Sequence, residues 1–120
     1  MSHLNNNFDA AEWFEAFNDR DIEKLLGLYH EEARHYSPKL KLQHPESNGL
    51  IIGKAALRAW WQDAFNRLPS LKYTPTSLNG NAHRVFMEYI RRVDGEEDLI
   101  IAEVLEIRNG LIVASRVYHG

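Results

Sequence analysis

The sequence contains no cysteine. Disulfides, thiolate nucleophiles and cysteine–zinc sites are thereby excluded, and the expected setting is a reducing one, the cytoplasm. No apolar stretch approaches the ~20 residues that a bilayer crossing requires, so no membrane partner is expected. The polar segment 1–7 has neither the basic start nor the apolar run of a signal peptide. Positive charge is not concentrated either. The 14 Lys and Arg are scattered, Arg91-Arg92 being the densest pair, and net charge is −3. A nucleic-acid partner would need a basic stripe that is missing here. Internal repeats and low-complexity segments are also absent.

What remains is a chain of 120 residues, 44% apolar and 26% charged. These proportions describe one globular domain over residues 1–120, able to bury well over half of its unfolded surface. The first half reads helical and the second half reads as strands, which is the segregation of an α+β fold. Asp9 caps a helix running to Asn18, with Glu12 completing a capping box and Trp13, Phe14 and Phe17 on its apolar face. Asp21 caps a second helix to His30, with Ile22, Leu25, Leu26 and Tyr29 on one stripe. A short strand is expected over Arg34–Leu42 and a loop over Gln43–Gly49. The third helix is the clearest: Leu57, Trp60, Trp61, Ala64, Phe65 and Leu68 recur at helical spacing between Gly53 and Pro69. Strands follow at Lys72–Leu78, His83–Val93, Leu99–Arg108 and Leu111–His119. Asp94-Gly95 and Asn109-Gly110 are hairpin turns, because these residue types accept positive φ. Three helices on a strongly bent antiparallel meander make a cone around a cavity.

Several fragments carry a resemblance to a known family. Asp21-Ile22-Glu23 leads into Leu28-Tyr29-His30-Glu31-Glu32-Ala33. Ser37-Pro38 follows, then Gly53-Lys54-Ala55-Ala56-Leu57 with the aromatic pair Trp60-Trp61. The chain closes with Asn109-Gly110-Leu111-Ile112-Val113 to Tyr118-His119. As an ordered set, over about residues 9 to 119, these resemble the nuclear transport factor 2-like superfamily, in particular its SnoaL-like and ketosteroid-isomerase-like domains. The resemblance implies the cone-shaped fold. It constrains function less, because the family holds isomerases, cyclases, epoxide hydrolases and proteins without assigned activity.

Compared with ketosteroid isomerase, Ser37 stands before the strand proline where that enzyme has its catalytic aspartate. Trp13 stands in place of the oxyanion tyrosine, Trp61 in place of a supporting tyrosine, and Glu103 keeps the oxyanion carboxyl. Two of three central groups have changed type, so ketosteroid isomerisation itself is not expected. SnoaL-like cyclases place a histidine and an aspartate on the last two strands; Glu103 and His119 offer a carboxyl and an imidazole there in reverse order. The same comparison turns Leu99, Ile101, Glu103 and Leu105 inward, with Val113, Ser115, Val117 and His119 beside them and His35 and Ser37 on the first strand. On the strand before, Phe86, Glu88 and Ile90 point inward in one register, although Val85, Met87 and Tyr89 are equally apolar.

The candidate catalytic residues are therefore Glu103, His119 and His35, and the candidate ligand-binding residues are Trp13, Phe17, Ser37, Trp61, Phe65, Phe86, Glu88 and Ser115. Each also has a structural reading: Glu103 as a carboxyl satisfied by Trp13 or His35, His119 as a frayed terminus, the aromatics as plain core. No ligand spacing marks a metal, and no cofactor is expected. The partner expected in the cavity is a small apolar molecule. Three functions compete: an acid/base enzyme of isomerase, cyclase or hydratase type, a binding protein using the same cavity, and an interaction module whose cavity is filled by its own side chains. Val85, Met87, Tyr89, Val104, Arg116 and Tyr118 are left for the convex sheet face, where so much apolar surface implies a homodimer.

Overall fold

The computed structural model describes residues 8–119, so the polar segment 1–7 lies outside it. Helix α1 (Ala10–Asn18) starts where Asp9 accepts a hydrogen bond from the Ala11 N–H, and α2 (Ile22–Leu26) starts where Asp21 accepts one from Lys24. These side chains satisfy backbone donors that a helix start leaves open. Helix α2 is shorter than its stripe suggests. It stops at Gly27, and β1 (Tyr29–Tyr36) takes over. Tyr29, expected on the helical stripe, is buried as the first residue of β1, and pairing of β1 with the last strand decides for β structure.

The strand expected to reach Leu42 ends before Ser37. Pro38 opens helix α3 (Pro38–Gln43) from the first helical position, where its missing N–H costs nothing. A 3₁₀ turn, Pro45–Ser47, falls within the expected loop. The short strand β2 (Leu50–Ile52), unannounced in the sequence, then pairs back on β1. Gly53, at φ 90°, turns the chain into α4 (Lys54–Arg67), a backbone angle that favours glycine. Leu57, Trp61 and Phe65 are the buried stripe of α4, as the spacing requires.

Strands β3 (Lys72–Gly80), β4 (Arg84–Arg92), β5 (Leu99–Arg108) and β6 (Leu111–His119) form the expected meander. The sheet runs β2-β1-β6-β5-β4-β3. All pairs are antiparallel except β1 with β6, which is parallel. The architecture is thus α+β, with four helices among the described residues against a curved, unclosed six-stranded sheet. Its core joins Trp13, Phe14, Phe17, Leu25, Leu57 and Trp61 from the helices to Met87, Ile101, Leu105 and Ile112 from the sheet.

Two hairpins set which strand residues face that core. At Asn109-Gly110 the expected two-residue turn forms, both residues having positive φ, and Arg108 pairs with Leu111. A bulge then slips the register between Glu106 and Ile107: Ile107 faces Ile112, but Leu105 faces Ser115 and Glu103 faces Val117. The Asp94-Gly95 turn sits in a wider connection. A two-residue turn there would pair Val93 with Glu96, and hence Phe86 with Glu103. Instead Arg91 pairs with Leu99, and Met87 with Glu103. A one-residue difference reverses the faces of a strand. Val85, Met87 and Tyr89 therefore face inward, while Phe86, Glu88 and Ile90 face away.

Candidate functional site

A cavity of about 170 Å³ lies between the concave sheet, α1, α3 and α4. It is comparable in size to the engineered ~150 Å³ apolar cavity that accommodates benzene. Its apolar walls come from Trp13 and Phe17 of α1, Trp60 and Trp61 of α4, and Ile101 and Val117 of the sheet, and polar and charged side chains share the lining with them. The rings interlock. Trp13 stacks on Phe17 with centroids 5.5 Å apart, and Phe17 stacks on Tyr73 at 3.9 Å. Such offset contacts fix ring positions beyond what area burial alone does.

Glu103 projects into this space from the middle of β5 and is 1% exposed. The Tyr89 hydroxyl, from the neighbouring strand β4, donates to its Oε1 at 2.8 Å. Its Oε2 is buried and has no partner among the described residues. Burial raises the carboxyl from 4.5 to about 7, against the opposing pull of the Tyr89 hydrogen bond. Withdrawal from water disfavours the charged form, and a single neutral donor does not compensate. At neutral pH this side chain is divided between acid and carboxylate.

His35, on β1, is also buried, and burial lowers it from 6.5 to about 4. It is therefore a neutral imidazole at pH 7. Its Nδ1 is hydrogen-bonded to Ser115 Oγ at 2.7 Å, a contact made by the parallel pairing of His35 with Ser115 across β1 and β6. Ser115 thus orients the imidazole and is not part of the cavity wall. Tyr29 accepts a hydrogen bond from the Trp13 indole N–H at 3.0 Å, beside the same serine. Trp13 consequently presents only its ring face to a ligand; its N–H is engaged within the fold.

The other candidates divide clearly. Ser37 and His119 line the cavity, the first buried and the second exposed at the mouth as the last described residue. Burial first, then Lys39 and Arg91, lower the pKa of His119. Phe65 is core that packs edge-on to Phe17 at 5.0 Å, outside the cavity lining. Phe86 and Glu88 lie on the opposite side of the sheet, Phe86 being 39% exposed, because the β4–β5 connection is wider than a two-residue turn. Val113 loses its expected inward place to the bulge, and Ile112 is buried instead. Tyr89, Tyr73, Arg91 and Lys39 were not anticipated in the site. The first three depend on the β4 and β3 registers, and Lys39 depends on α3, which replaced the expected strand. Among the described residues, no three His, Asp or Glu side chains come together as a metal-binding group.

Residues 10–115 match the SnoaL-like domain family. Among curated proteins none matches the chain. Solved structures do. A SnoaL-like protein of unknown function from Burkholderia thailandensis superposes with a TM-score of 0.83 at 21% identity, covering 92% of this chain and 90% of that one. A candidate ketosteroid isomerase from Kribbella flavida gives 0.75 at 21% identity, covering 92% and 74%. TerC, co-crystallised with polyporic acid, gives 0.78 at 19% identity, covering 92% and 88%. At these identities the likeness concerns the fold. With its sequence matching over most of its length, the chain belongs to the SnoaL-like domain family, and its cone of helices and curved sheet has the fold of nuclear transport factor 2-like and ketosteroid-isomerase-like structures.

Proposed function

We propose that this chain is an acid/base enzyme of isomerase, cyclase or hydratase type, acting on a mostly apolar molecule of about one ring. The observation that carries the reading is Glu103: a buried carboxyl bonded at one oxygen, unbonded at the other, and poised near 7 beside an open cavity. A group with a pKa near the working pH both gives and takes protons efficiently. The Tyr89 hydroxyl holds the carboxyl in place. The neutral imidazole of His35, fixed by Ser115, supplies a hydrogen-bonding edge and not a proton store. His119 at the mouth can exchange protons with solvent.

A second reading, binding without turnover, is supported by Ser37 at the position of the ketosteroid isomerase base and by the engaged N–H of Trp13. The open volume of about 170 Å³ speaks against a cavity filled by its own side chains. Native mass spectrometry of the purified protein, with chemical identification of any retained molecule, separates the first two. Conversion of that molecule by the wild type and its loss in Glu103→Gln supports the enzyme. Unchanged release from both, or full conversion by Glu103→Gln, sinks the catalytic assignment.

The convex face supports a homodimer in solution as part of the same proposal, although its composition is corrected: Val85, Met87 and Tyr89 are inside. Ile100 is 64% exposed, Tyr118 49% and Phe86 39%, and Val104 lies between Phe86 and Arg116 in register. A cytoplasmic location belongs to the proposal too, and cell fractionation tests it; among the described residues no helix is long and apolar enough to cross a membrane.

A further inference from the structure

The charge around the cavity opposes the charge of the chain. Net charge is −3, yet Lys39 from α3, Arg67 from α4 and Arg91 from β4 all line the same cavity. Apart from Glu103 in the interior, Glu96 is the one carboxylate lining it among the described residues. The cations act on one another. Burial lowers the pKa of Lys39, and Arg91 and Arg67 lower it further, with Glu96 opposing. Lys39 and Arg91 press on His119 in the same way. Arg67 and Arg91 each hold one partly exposed carboxylate, Asp63 at 2.7 Å and Glu96 at 3.0 Å, and Lys39 still feels both cations, so an anion placed among the three is favoured.

Arg91 makes the collar more than a solvated rim. It is 6% exposed, and its side chain has one acceptor among the described residues, Glu96 Oε1 at 3.0 Å from Nη1. Glu96 is itself 46% exposed at the side chain. The guanidinium has five N–H donors, so that one bond leaves others available to a ligand at the cavity. Its fork suits a carboxylate.

We propose that the cavity takes a small organic carboxylate, its carboxyl group in the collar of Lys39, Arg67 and Arg91 and its ring or short chain against Trp13, Phe17 and Trp61. This rests on the reading of the cavity as a ligand site and adds the class of ligand. With the carboxylate at the mouth, the far end of the molecule is the part that meets Glu103. The cavity volume limits that body to about one ring.

The test is isothermal titration calorimetry with benzoate and benzamide, equal in shape and different in charge, at pH 6 and low salt. Benzoate is expected to bind at least about tenfold more tightly than benzamide, the worth of one charge-assisted hydrogen bond. Added sodium chloride should weaken benzoate alone. Lys39→Gln and Arg67→Gln, both away from the protein core, should each weaken benzoate by up to about fivefold and leave benzamide unchanged. Benzamide binding as well as benzoate, or a benzoate preference indifferent to both variants, overturns the carboxylate assignment while the cavity remains a ligand site. Binding of neither probe overturns both.

Discussion

Glu103→Gln should change how stability depends on pH, and the size of the change follows from two buried groups with opposite signs. Glu103 has its pKa raised from 4.5 to about 7 in the folded chain. Folding therefore favours its protonated form: the contribution is fully present below pH 4.5 and is lost as pH rises to about 7. His35 has its pKa lowered from 6.5 to about 4. Its contribution is present above pH 6.5 and is lost as pH falls through about 4. Each displacement is worth about 3 kcal/mol by proton linkage. Between about pH 4.5 and 6.5 the two slopes oppose, so the pair leaves the wild type nearly flat there. The amide introduced by Glu103→Gln keeps an oxygen for the Tyr89 hydroxyl and removes only the titration. The stability of Glu103→Gln minus that of the wild type should then climb by about 3 kcal/mol from about pH 4.5 to 7. Glu23, Glu96 and Glu106, held below the usual carboxylate range chiefly by hydrogen bonds from Arg58, Arg91 and Arg116, affect both proteins equally and cancel in the difference. Urea unfolding at a series of pH values, followed by tryptophan fluorescence, measures it. A difference that stays level across this window would refute the reasoning, because Glu103 would then titrate as an exposed carboxylate does.

Tyr89→Phe removes the one hydrogen bond that holds the Glu103 pKa down, so the carboxyl should titrate higher still; carbon-detected NMR of labelled glutamate reads the direction. Trp13→Phe should cost about 2–4 kcal/mol in urea unfolding, because it removes the buried bond from the indole to Tyr29 and leaves ring volume empty in the core. Leu105→Ala, at a side chain with no exposure, should cost about 2–5 kcal/mol and leave the cavity mouth intact. Ile100→Glu places a charge at the centre of the exposed apolar face and should shift sedimentation from dimer to monomer; an unchanged sedimentation coefficient would remove the convex face as the contact.

The sequence by itself determined the parts governed by local chemistry. Asp9 and Asp21 cap helices, Leu57 to Leu68 repeat at helical spacing, and Asn109-Gly110 forces a two-residue turn, so the α+β class and the curved meander were legible, while α3 and β2 were not. Glu103 stood out because a carboxyl in an apolar strand must be protonated, paired or functional. The family resemblance already set Ser115, Val117 and His119 beside it; only the tertiary structure decided which face of β4 joins them and that Val113 does not. Both sides of β4 are apolar, so nothing in its pattern separates Tyr89 from Phe86; the connection 93–98 does, by pairing Met87 with Glu103. The bulge in β6 brings Ser115 and His119 to the side of Glu103, and the parallel pairing of β1 with β6 sets His35 on Ser115. The cationic collar was equally hidden, because Lys39, Arg67 and Arg91 are scattered in sequence and meet where three separate elements close over one cavity. A side chain's period is a local property, but register is fixed by the lengths of connections and by a neighbouring strand, and one residue of slip exchanges the inside for the outside.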